Sequence, residues 1–331
     1  MSNELMDLIQ TVKKQCLDGD TQSRDVMLRL LDIPLNTKEY DELCRAANEA
    51  AQVITGSSAY LWGAIGLDYA RCPMNCMFCS FGEKWGVVKR EIIYSPEEIL
   101  EQVRRYAAEG IHFIVLRTTE FYHVASLKDL LQNIRSEVSG EYELILNIGE
   151  FDVQTANEIY EAGASGIYHA VRLREGIQTP FDPRQRMATL ESILRSPLKL
   201  IHLVEPVGPE HTNEEIADVF FNSMRYGVAI SGAMARIPVK GTPLGEEPAI
   251  SKERLAQIIA VLRLTGGYKV PDICVHPASQ EAVNAGANVV VIETGANPRD
   301  QRADREAWRG FGAGAARLLL QNAGYTVGHK K

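Results

Sequence analysis

The sequence predicts an α/β protein, a (β/α)8 barrel of the TIM type with an N-terminal helical extension. Three observations lead there. Short runs rich in β-branched and aliphatic residues recur along the chain, helix-patterned segments separate them, and the runs number eight. Strands that alternate with helices need crossover connections, so they form a parallel sheet, which eight units can close into a barrel. At 331 residues the chain exceeds a barrel of about 250 residues and leaves room for added helices.

The elements follow in order. An acidic, helix-forming segment runs from about Leu5 to Val53, broken at Asp18 to Asp20 and at Pro34. The first strand is the apolar stretch Ala59 to Leu67. The next are His112 to Leu116, Glu143 to Asn147, Gly166 to Val171, Leu198 to Val204, Ala229 to Ile237, Asp272 to His276 and Asn288 to Glu293. Helix patterns between them include Pro96 to Glu109, with Ser95 as N-cap and Pro96 at the first helical position, and Ser251 to Thr265. Gly110, Gly163 and Gly286 precede strands and read as helix C-terminal stops. The expected organisation is an extension over residues 1–58, a barrel over 59–300, and a C-terminal helix and tail over 301–331.

Composition narrows the function classes. With 45% hydrophobic and 24% charged residues the chain reads as an ordinary soluble globular protein. No apolar run reaches the roughly 18 residues of a membrane span, and Met1-Ser-Asn-Glu-Leu-Met-Asp7 lacks the basic start and apolar core of a signal peptide. A cytoplasmic location without a membrane partner is expected. The net charge of −8 argues against nucleic acid as a partner, which would favour a basic face. Six cysteines in a cytosolic chain point to metal chemistry rather than disulfides.

Three of those cysteines carry the chemistry. Cys72-Pro-Met-Asn-Cys76-Met-Phe-Cys79 is a C-x3-C-x2-C loop, with Phe78 directly before the third thiol. Three thiolates on so short a loop can hold three irons of a [4Fe-4S] cube, and with no fourth cysteine following, one iron stays open for chemistry. The alternative is a zinc knuckle, which would want four ligands. No histidine lies between Gly56 and Arg105, and Cys16, Cys44 and Cys274 are far away in sequence. On the predicted barrel the loop follows the first strand, at the C-terminal face where barrel enzymes place their sites.

This spacing, with the aromatic residue before the last thiol, resembles the signature of the radical S-adenosylmethionine (SAM) enzymes, whose open iron chelates the methionyl end of SAM. The stretch Ala235-Arg-Ile-Pro-Val-Lys-Gly-Thr-Pro-Leu244, with Asp272-Ile-Cys-Val-His276 and Ala285-Gly-Ala-Asn288, is similar to the biotin synthase branch. That branch also holds the [FeFe]-hydrogenase maturase and methylornithine synthase. The similarity runs from about residue 5 to 295. It implies a full barrel with a helical extension, a [4Fe-4S] cluster, SAM, an electron donor such as flavodoxin or ferredoxin, and a small-molecule substrate.

The resemblance also suggests roles. Thr118-Thr-Glu120 ends the second strand, where the family carries a Gly-Gly-Glu-like turn against the SAM amino group; Glu120 is the candidate, with a helix cap or a solvated acid as its ordinary alternative. His169, Arg172 and Glu175 follow the fourth strand, where the family contacts the SAM carboxylate or ribose. Arg172 is favoured because guanidinium forks a carboxylate, while Arg174 and Glu175 are equally suited to a surface salt bridge. Glu205-Pro-Val-Gly-Pro-Glu-His211 resembles the adenosine-contacting turn. Glu205, Arg236, His276 and Glu293 are expected to line the barrel interior, unless they form structural ion pairs there; the last three, with His169, are the substrate candidates.

The sequence departs from biotin synthase at one point. The strands Leu144 to Asn147 and Leu200 to Val204 lack the cysteines that hold a second, sacrificial cluster there, and Cys274 falls about where that enzyme has a cluster-binding arginine. Two reactions stay open, rearrangement or fragmentation of an amino-acid-like or cofactor-precursor substrate and sulfur insertion of the biotin synthase or lipoyl synthase type. Sulfur insertion requires an auxiliary cluster, for which Cys16, Cys44 and Cys274 would be the thiols; the alternative is that they are buried as small hydrophobes. A non-catalytic iron–sulfur scaffold is a reading of another class.

Overall fold

The computed structural model describes residues 2–301, 303 and 306–328. Three helices come first, α1 (Ser2–Leu17), α2 (Arg24–Leu31) and α3 (Lys38–Thr55), with breaks where the sequence places them. Ser23 and Thr37 cap α2 and α3, each side-chain oxygen accepting a backbone N–H of the first turn. On α3, Tyr40, Leu43, Ala46, Ala47, Ala50 and Ala51 share one buried face, whose alanines allow close packing against the barrel's helical layer.

Eight parallel strands form the barrel: β1 (Ser58–Gly66), β2 (Phe113–Arg117), β3 (Glu143–Asn147), β4 (Gly166–Tyr168), β5 (Lys199–Ile201, resuming as Val204–Val207), β6 (Ile230–Ala235), β7 (Asp272–His276) and β8 (Val289–Gly295). Pairing of β1 with β8, from Tyr60 opposite Val289 to Gly66 opposite Gly295, closes the ring. Between the strands run α4 (Pro96–Ala108), α5 (Val124–Glu137), α6 (Val153–Glu161), α7 (Pro183–Leu194), α8 (Asn213–Arg225), α9 (Lys252–Gly266) and α10 (Gln280–Asn284). Beyond β8 lies α11 (Ala313–Asn322), and Thr326–Val327 then pairs with the start of β1. Ser95 and Glu98 form a full capping box on α4. Among the described residues no helix is long and apolar enough to cross a membrane.

Both faces of these strands are buried, which is why they read as continuous apolar runs. Alternate residues point inward. Tyr60, Trp62, Phe113, Val115, Ile145, Tyr168, Leu203, Ile230, Cys274 and Val291 make an interior cluster, separate from the apolar shell between strands and helices.

Two strands differ in course from the sequence reading, and four others by one or two residues at each end. The strand expected over Gly166 to Val171 ends at Tyr168, because the Val171 N–H donates to the imidazole Nε2 of His202 (3.2 Å) in place of a ladder partner. The fifth strand bends at His202 and resumes with a register shift, extending to Val207.

Gly66 shows what the closure demands. Its carbonyl accepts from the Ala296 N–H (3.1 Å), and a Cβ at this position would land on the Ala296 carbonyl oxygen. Gly66→Ala is therefore expected to displace the 296–299 loop and to destabilise the chain by about 2–4 kcal/mol, as other severe backbone clashes do. Urea denaturation checks this, and an unchanged midpoint would refute the close-packed closure.

Candidate active site

The cysteine loop leaves the top of β1 and is tied down on every side. Asp68–Tyr69 pairs antiparallel with Ile92–Ile93, pinching the loop at its base. The Cys72 N–H donates to Phe81 O (2.7 Å), the Cys79 N–H to Cys76 O (3.0 Å) and the Trp85 indole to Cys76 O (3.1 Å). Asn75, in the left-handed region at φ 50°, accepts the Lys84 N–H through its side chain. Outward anchors run from the Met77 N–H to Gln178 O (2.9 Å) and from the Ser80 N–H to Pro298 O (2.8 Å).

Cys72, Cys76, Cys79 and Phe78 line one end of a cavity of about 1330 Å³, mouth included. Burial pushes the Cys76 and Cys79 thiols up, to about 12 and about 11, so thiolates here need a cationic partner. The Cys72 sulfur also accepts a backbone N–H from Glu120. Among the described residues no three His, Cys, Asp or Glu side chains gather as a single-ion site would require. A cube fits such a set better than zinc, because its anchors stand apart, one thiolate to each iron.

The β4–β5 wall carries most of the SAM-contact candidates. Arg172, on the turn after β4, stands with its Nε 3.4 Å from Glu205 and its Nη1 3.6 Å from Glu175. Tyr168 donates its hydroxyl to the other Glu205 oxygen. Glu120 also lines the cavity, and burial raises its pKa against the opposing fields of Arg186 and Arg172. His169 and Glu175 stand behind this surface. Glu175 accepts the Arg172 N–H (2.8 Å) and the Thr179 hydroxyl (2.5 Å), while His169 faces Arg186 and Glu150. Arg174 turns outward to Glu215 (2.8 Å), as a surface pair.

On the opposite wall Glu293 is the hub. Its Oε1 accepts from Arg117 Nη1 (2.6 Å) and from Arg299, and its Oε2 from Asn297 (2.8 Å). Its side chain is 1% exposed, and although burial alone would raise its pKa, the surrounding cations hold it far below the usual carboxylate range. His276 lies 3.4 Å from Glu293 without a hydrogen bond, its ring 5.7 Å from Trp308. Arg236 donates to Glu210, which also takes Gln178 (2.9 Å); against the effect of burial these bonds hold Glu210 down at about 2.

Sequence reading missed Arg117, Arg186, Arg299, Tyr168 and Glu210. Parity was the available signal for two of them. Phe113 and Val115 face inward, so Arg117 continues their face, and Tyr168 follows Gly166 in the same way. Arg186 and Arg299 sit on a helix and on a loop with nothing local to mark them, and Glu210 lies in the quoted 205–211 turn without being singled out.

The remaining thiols are not gathered. Cys274 is in the barrel interior. Cys16 packs under α9, its sulfur 3.8 Å from Arg263 O, and Cys44 on α3 bonds with the Tyr40 hydroxyl. An auxiliary cluster on these three would need thiols from separate layers of the fold.

Burial lowers His202 and His276 to about 4 and His169 well below its ordinary value. The unfolded chain therefore takes up their protons first: their contribution to stability is complete above about pH 6.5 and is lost as pH falls toward 4. Urea midpoints should decline from pH 7 to pH 5, less steeply in His276→Asn. A flat profile would contradict neutral buried imidazoles.

Comparisons with known proteins give the chain's relatives. The description of the Radical SAM superfamily matches residues 68–229. Biotin synthase 2 of Corynebacterium diphtheriae is 21% identical over 337 residues, covering 97% of each chain. Methylornithine synthase superposes with a TM-score of 0.78 at 18% identity, over 96% of this chain and 97% of that one. A maturase of the [FeFe]-hydrogenase gives 0.79 at 12% identity, over 97% and 76%. These two share the fold. With the cysteine loop on the barrel's C-terminal face, residues 68–229 form a Radical SAM superfamily domain, and the chain is distantly similar over its length to the biotin synthase-like branch.

Proposed function

We propose that this protein uses a [4Fe-4S] cluster and SAM to abstract hydrogen from a small amino-acid-like or cofactor-precursor substrate. The observation that carries the reading is one open-mouthed cavity, with three thiols at one end and paired arginines and glutamates around its walls. Cluster and SAM, once bound, would supply reductive C–S cleavage and the power to abstract hydrogen from an unactivated C–H bond. The family implies both, together with a small-molecule substrate and a reductant.

The chain's own residues bind, orient and shield. Cys72, Cys76 and Cys79 anchor three irons, beside Phe78. Glu120 accepts the methionyl ammonium and Arg172 forks its carboxylate. Glu175 acts through Arg172, whose main chain and guanidinium it holds. Glu205 and Tyr168 border the same wall, toward the adenosyl end. Arg236, His276 and Glu293 face the substrate, and the barrel wall keeps water from a reactive intermediate. A small acidic redox protein of the flavodoxin or ferredoxin kind is the proposed electron donor.

Sulfur insertion receives less support, since Cys274 is the interior cluster's one thiol among the described residues. Anaerobic reconstitution should give about four irons per chain, where an auxiliary [4Fe-4S] cube would bring about eight. Dithionite and SAM should then yield 5'-deoxyadenosine and methionine. Replacing Cys72, Cys76 and Cys79 together by Ala should abolish both cluster and cleavage; survival of cleavage would overturn the proposal, and a wild type that holds iron without cleaving SAM would point to a scaffold. Arg172→Leu should raise the KM for SAM about 10- to 100-fold, the equivalent of about 1.5–3 kcal/mol for a hydrogen bond to a charged group.

A further inference from the structure

The corner of the cavity between β8, β1 and β2 has spent its acceptors and kept its donors. Glu293 has one oxygen on both Arg117 and Arg299 and the other on Asn297. Arg117 Nη2 is taken by Ala296 O (2.6 Å). Asp68, whose field also reaches Arg117, has both oxygens engaged by Thr119. Left over, buried and without a hydrogen-bond partner among the described residues, are Arg117 Nε, Arg299 Nε and both ring nitrogens of His276. Guanidinium nitrogens only donate, and a neutral imidazole brings one donor and one acceptor, so unpartnered donors outnumber the one acceptor left. Buried donors in this number call for an acceptor.

The Arg236 corner is different. Arg236 and Gln178 both donate to Glu210 there, and unpartnered acceptors, Glu210 Oε2 and Gln178 Oε1, remain alongside the unpartnered Nε and Nη2, so that corner selects no charge. Beneath the donor-rich corner the same strands turn apolar: Ala64 lies in register with both Val115 and Glu293, and Trp62 with Val291. These side chains line the cavity floor.

We propose that Arg117, Arg299 and His276 bind a carboxylate of the substrate, which is a short aliphatic acid whose hydrocarbon lies over Trp62, Ala64, Val115 and Val291. This rests on the hydrogen-abstraction reading and adds to it the class of substrate. A carboxylate suits the corner because Glu293 and Asp68 have both oxygens engaged while guanidinium N–H groups remain without a partner.

Sodium butyrate is the probe, with butylammonium chloride as its isosteric cation and sodium chloride matching ionic strength. In the cluster-loaded protein, butyrate should raise Tm saturably, by roughly 2 °C at tenfold excess over its Kd, and butylammonium should not. Arg299→Gln should abolish the rise. Arg117 sits deeper and its loss risks the fold, so the wild-type titration stands as the independent arm. Repeating it at saturating SAM separates two sources of carboxylate. A persisting shift assigns the corner to the substrate, whereas a lost shift gives it to the methionyl carboxylate and overturns the proposal, as would no butyrate shift or an equal shift with butylammonium. Formation of 5'-deoxyadenosine in the same samples reports on the hydrogen-abstraction reading separately: its absence with an intact butyrate response would sink that reading alone.

Discussion

Every guanidinium facing this cavity is held by an acid on a neighbouring strand or loop, and the site's geometry depends on that pairing. Arg117 and Arg299 meet Glu293, Arg172 meets Glu175 and Glu205, Arg186 meets Glu150 (2.9 Å), and Arg236 meets Glu210. In a barrel interior an unpaired charge is costly, and removing one partner of a buried pair typically costs about 3–5 kcal/mol. The acids therefore fix where each arginine points, which decides which of its N–H groups remain for a ligand. Phe181 adds a second restraint, its ring lying 4.2 Å from Arg186 and 5.6 Å from Arg172.

The cysteine loop is coupled to these pairs through main chain. Its Ser80 N–H is bound by Pro298 O, one residue before Arg299, and its Met77 N–H by Gln178 O, whose side chain supports Glu210. Asp68, at the loop's entry, is bound to Thr119, two residues beyond Arg117. A shift of the loop would thus be felt by arginines on both walls. That suits a reaction in which two bound molecules must be held in register, where an error of about an ångström is expensive in rate.

Much of the fold was legible because barrel strands obey one rule, apolar on both faces. Glu143–Asn147 and Asp272–His276 agree residue for residue with the observed strands, since charged or turn-forming neighbours bound them. The exceptions were tertiary: Tyr168 ends its strand because of an imidazole from β5, which nothing near residue 168 announces. The thiol loop was legible because its three cysteines lie within eight residues of one another. Arg299 and Arg186 were not, because a polar residue on a loop or helix looks the same in sequence whether it faces water or a cavity.

Glu175 shows where that ambiguity bears on mechanism. Its place after the fourth strand invites a ligand-contacting role, yet its oxygens are engaged by the Arg172 N–H and the Thr179 hydroxyl, and it stands near both Arg172 and Arg186. Its pKa is lowered because those two cations outweigh burial, so it stays ionised and holds them apart from each other's repulsion. Arg172 Nη1, 3.6 Å from Glu175, is still a buried donor without a hydrogen-bond partner among the described residues, and Arg172 and Glu120 both line the cavity. An acceptor and a donor on that wall complement the ammonium and carboxylate of one amino acid end, whereas the Glu293 corner offers donors with its acceptors used. On the proposed reading the two ends of the cavity thus accept different chemistry, and the difference arises from which polar atoms folding has already consumed.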